Sequence, residues 1–182
     1  YSVQRLSMKI KPHPVYIVSL KEHEFDYDVF VAMEMCDGLE PAPRKDMNIL
    51  SQLIMKHKYL QKKDYPFIWY GEYKDNLVLN ETYKQWAKTL TSADQKILLR
   101  EVKHRNAFGL DFNKNITVND QDLVFNEPCQ MFVFMLHNNL NKIAIAGCHI
   151  VGCINDFNNE LQLLCKKYKY PIQCFIIKEL SK

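Results

Sequence analysis

The stretch CQMFVFMLHNNLNKIAIAGCHIVGC, residues 129–153, is the most concentrated apolar pattern in the chain. Two runs, CQMFVFMLH and KIAIAGCHIVGC, flank the tetrapeptide NNLN, whose asparagines supply the turn chemistry of a hairpin. Neither run alternates apolar with polar residues. Both would therefore be buried on both faces, in the middle of a covered sheet.

Working outward, DFNNELQLLCKKYKY (156–170) has acidic residues in its first turn and lysines in its last, the polarity of a helix macrodipole. Pro171 ends it, and IQCFIIKEL reads as a final buried strand. Toward the N-terminus, VYIVSL (15–20) and DVFVAMEM (28–35) are β-branched and aromatic runs, and KEHEFDY between them reads as a second hairpin turn. Gly38, Pro41 and Pro43 break the loop CDGLEPAPRKD. A helix is expected over 47–63, with Met47, Leu50, Leu53, Ile54 and His57 at helical spacing and Asp46 as its N-cap.

PFIWYGEY (66–73) reads as a strand, LVL as a short one, ETYKQWAKTL as a helix capped by Asn80, and 91–105 as a helix capped by Ser92. The Asn- and Asp-rich segment 110–128 holds at most two short strands. The expectation is an α/β or α+β fold with a mixed, largely antiparallel sheet and helices packed on it. It is read as a single domain over 1–182, with a weak division near 106–128.

The 182 residues are 47% apolar and 25% charged, ordinary globular usage, with net charge +3. That excess is too mild for a dedicated nucleic-acid arm. The six cysteines lie in a core-rich chain, most of them inside apolar runs. They read as buried thiols of a reducing compartment, cytoplasm or nucleus. No run of eighteen apolar residues occurs, so no membrane partner is expected. The opening YSVQRLSMKIK has no apolar h-region and suggests a domain of a larger intracellular protein. Gly-rich phosphate loops, G-x-S-x-G and H-E-x-x-H are absent from the sequence, and no cofactor is expected.

Four constellations carry chemistry. Cys148 and Cys153 have a spacing at the upper end of a zinc-ligand pair, giving a zinc-stabilised interaction domain as one alternative, though no second pair accompanies them. On a strand, these two side chains would face opposite sides. Cys129 and His149 could neighbour one another on adjacent strands, and GCHIVG is similar to a strand of chymotrypsin-type viral cysteine proteases. Cys129 lacks the glycine-rich loop that forms their oxyanion hole, which excludes that chemistry.

KKDYPFIWYGEYK places Asp64, Glu72 and Lys74 in a D-x7-E-x-K array. It resembles the PD-(D/E)xK nuclease family over about eleven residues. The resemblance implies carboxylates holding a divalent metal and a lysine positioning water. Finally, Lys56, Lys58, Lys62 and Lys63, and Lys166, Lys167, Lys169 with Tyr168, form two basic, aromatic clusters at expected helix ends. Lysines bind phosphate without sequence preference, and tyrosines stack on bases. The leading expectation is a non-catalytic interaction module that binds protein or nucleic acid, RNA included, through this basic and aromatic surface. The metal-dependent nuclease is the first alternative.

Overall fold

Val29–Met33 is buried at every position, and so is Ile143–Gly147. Strands that bury both faces need neighbours on both edges and layers above and below. The computed structural model describes residues 16–19, 27–33, 66–71, 76–103, 123–147 and 150–181. The elements are β1 (Tyr16–Val18), β2 (Val29–Met33), β3 (Phe67–Tyr70), α1 (Asn76–Lys88), α2 (Ser92–Glu101), β4 (Leu123–Phe125), α3 (Pro128–His137), β5 (Lys142–Gly147), α4 (Cys153–Tyr168) and β6 (Gln173–Ser181).

The six strands form one sheet in the order β1-β6-β5-β2-β3-β4, and every pairing is parallel. The expected largely antiparallel sheet is therefore overturned, and with it both hairpins. β1 pairs with β6, not β2. β5 lies between β2 and β6. The physical reason is in the runs themselves: apolar residues on both faces are the mark of parallel strands under helices, whereas hairpin strands commonly alternate.

The other half of the supposed central hairpin is helix α3. Its start is fixed by Asn126-Glu127-Pro128-Cys129-Gln130. Pro128 occupies the first helical position, where its missing N–H costs nothing. Gln130 folds back so that its Oε1 accepts the N–H groups of Asn126 at 2.7 Å and Glu127 at 3.0 Å. Asn138 and Asn139 end the helix, Asn139 in the left-handed region at φ 55°. The NNLN segment is thus a helix terminus, not a hairpin turn. α3 is apolar all round because it is wedged against the sheet between α2 and α4, with Cys129 through Met135 buried.

Other boundaries shift for local reasons. α1 begins at Asn76, so LVL is helical rather than a strand and Asn80 is no cap. Within α1, Trp86 is buried in the core and Tyr83 packs against it. α2 is capped by Thr91, not Ser92: Thr91 is extended, and its hydroxyl accepts the Asp94 N–H at 3.2 Å. α4 and β6 stand where the sequence puts them, except that α4 starts earlier, at Cys153. Its buried stripe of Ile154, Phe157, Asn158, Leu161, Gln162 and Cys165 keeps the i, i+3, i+4 rhythm.

One sheet face, including Val31, Ile68, Ile145 and Ile176, forms a single core with Trp86, Leu98, Phe132 and Phe157 from the four helices. The opposite face is buried as well, at Phe30, Ala32, Trp69, Ala144 and Ala146, with Phe30 and Phe67 stacked at 5.1 Å. At the amino edge, Asp28 Oδ2 accepts the N–H groups of Asn141 and Lys142, both at 3.0 Å. That carboxylate ties the start of β2 to the start of β5. Among the described residues, no helix is long and apolar enough to cross a membrane. The helix expected over 47–63 and the loop before it lie outside the described residues.

Candidate functional site at the carboxyl edge

From β2 the chain moves to β3 on one side, whereas from β5 it moves to β6 on the other. The two strands are neighbours, paired from Val29↔Ile143 to Met33↔Gly147. Connections that leave adjacent parallel strands in opposite directions open a crevice at their carboxyl ends, where open α/β sheets bind ligands.

The backbone at this edge is adapted to close approach. Gly147 has φ 131°, and a Cβ placed on it would lie 1.9 Å from the Met33 carbonyl oxygen. Only glycine fits a strand end pressed that tightly on its neighbour. Beyond Ile145 the β5–β6 register shifts, so that Gly147 lies opposite Ser181. Irregularities of this kind re-aim side chains and are common beside active sites. β3 also ends on a glycine of positive φ, Gly71 at 147°, whose N–H donates to Phe125 O at 2.9 Å.

After β5 the chain turns at Ile150, packed on the core, and Val151, 92% exposed, before α4 opens at Cys153. The N-cap is Gly152, which has no side chain to satisfy the first helical N–H groups. The positive end of a sixteen-residue helix thus follows the carboxyl end of β5, a setting that favours negative charge and already holds one, Asp156, in its first turn. The Cys153 thiol is exposed there.

The remaining described cysteines are different. Burial pushes the Cys129 thiol up to about 12, with the Glu127 carboxylate adding to the rise. Burial likewise takes Cys165 to about 12 and Cys174 well above its ordinary value. These three are buried in the core, where a thiol is held protonated and inert. Cys153 departs from the expectation of buried thiols.

Of the basic residues singled out in the sequence, the described ones cluster at the other end of α4. Lys166, Lys167, Tyr168 and Lys169 end α4 at the amino edge, the far side of the sheet from the crevice. Lys167 Nζ bonds Glu101 Oε1 at 2.5 Å, and Tyr168 OH donates to the same oxygen at 2.6 Å. Those two contacts, Lys167 first, hold the Glu101 carboxyl below its usual range. Lys166 and Lys169 are exposed.

Lys56, Lys58, Lys62 and Lys63, the triad Asp64, Glu72 and Lys74, and Cys148 with His149 lie outside the described residues. Among the described residues, no three His, Cys, Asp or Glu side chains converge to hold a metal ion. GCHIVGC reads as strand in the sequence, which hides the place of Cys153 at a helix start. The signal for it was the apolar spacing of Ile154, Phe157, Leu161 and Cys165, which carries the helix one turn further back. No protein-family model and no curated protein sequence matches this chain.

Proposed function

We propose that this protein binds a small molecule in the crevice at the carboxyl ends of β2 and β5, with an anionic group of the ligand toward the start of α4 and the Cys153 thiol beside it. The observation that carries the reading is the reversal of winding between β2 and β5 in an all-parallel sheet. The Gly147 contact with Met33, the glycine N-cap of α4 and the exposed thiol support it. The reading is tested by titrating inorganic phosphate and, separately, benzoate into labelled protein and following backbone amide shifts. Changes are expected at Met33, Gly71, Gly147, 150–156 and Ser181. Changes confined to the amino edge, at Asp28, Lys142 and Lys169, would remove the reading.

A second reading, contact with nucleic acid through the basic end of α4, is favoured by the exposure of Lys166 and Lys169. It predicts binding to a single-stranded oligonucleotide that weakens steeply with salt. Glu101→Gln, which releases Lys167, tightens that binding if the surface operates. An affinity indifferent to Glu101→Gln and to salt counts against it.

A further inference from the structure

We draw no further inference here: the strongest candidate, the cleft of about 190 Å3 between the end of α2, the start of α3 and the middle of α4, has charged groups already paired with one another, Lys103 with Glu160 and Lys167 with Glu101, and nothing in the structure shows what covers its apolar side at Leu163 and Leu164.

Discussion

Replacing Gly147 with alanine adds one methyl group at the point where the two central strands meet. Two costs follow. An L-residue held at φ 131° sits in a sparsely populated region, at about 1–3 kcal/mol. The new Cβ would also stand 1.9 Å from the Met33 carbonyl oxygen, where contacts under 3.0 Å essentially never occur. The atom it meets is backbone at the end of an interior strand and cannot rotate away. The end of β5 must therefore draw back from β2 by about 1 Å, which breaks one or two ladder hydrogen bonds at roughly 1 kcal/mol each. The expected loss is about 2–5 kcal/mol, a large share of the roughly 5–15 kcal/mol that holds a domain together. Urea unfolding followed by tryptophan fluorescence measures it, since Trp69 is fully buried in the adjacent strand β3. Leu163→Ala, at a side chain 57% exposed, serves as the control and shifts stability by no more than about 0.5 kcal/mol. A Gly147→Ala protein within about 1 kcal/mol of the parent would show that β5 does not press on β2 at this point, and the crevice geometry would fall with it.

The thiols give a second expectation: iodoacetamide at neutral pH modifies Cys153 well before Cys129, Cys165 and Cys174, as peptide mass mapping would record. Equal labelling of all four would contradict the burial of the other three. Stability also falls in alkali. Cys129 and Cys165 are raised from 9.0 to about 12, so above pH 9 the unfolded chain has released protons that the folded chain keeps. Their contribution is complete below about pH 9 and is lost toward pH 12, at about 1.4 kcal/mol per pH unit for each thiol. The urea midpoint should accordingly drop between about pH 8 and pH 10.5, and less so in Cys165→Ala; a flat profile in the parent would contradict the assignment. Finally, Gln130→Ala leaves the N–H groups of Asn126 and Glu127 without their acceptor and costs about 2–4 kcal/mol. Urea unfolding measures the loss, and a Gln130→Ala protein within about 0.5 kcal/mol of the parent would argue against this role of the amide oxygen.

How far the fold was legible depends on the range over which each feature is encoded. β3, β6 and the body of α4 were readable because their evidence is local: a β-branched or aromatic run for the strands, an apolar stripe between acidic and basic ends for the helix. α3 was not, because a ten-residue run apolar on every side fits a buried helix as well as a buried strand. The deciding residues were at the entry of the run, in the Glu127-Pro128 step and the Gln130 amide that closes it. Strand direction was hidden for a different reason. A parallel pair needs a connection of a dozen residues or more, and residues 34–66 between β2 and β3 exceed that. The length was there to be weighed, and the missing alternation in β2 and β5 pointed the same way. β1 carries too little pattern in three residues to declare that its partner is β6, from the other end of the chain.

The candidate site belongs to this last category. Nothing in the residue types around Cys153 distinguishes a thiol at a ligand crevice from one at any helix start. What distinguishes it is that β5 adjoins β2 while their connections depart in opposite directions, a relation among four strands drawn from Val29 to Ser181. Local motifs therefore directed the sequence reading toward the lysines at the opposite edge, where helix C-termini attract basic residues whether or not a ligand is present. The proposed crevice follows only from the strand order, and Gly147, a residue with no chemistry of its own, then carries more information about that edge than any titratable side chain.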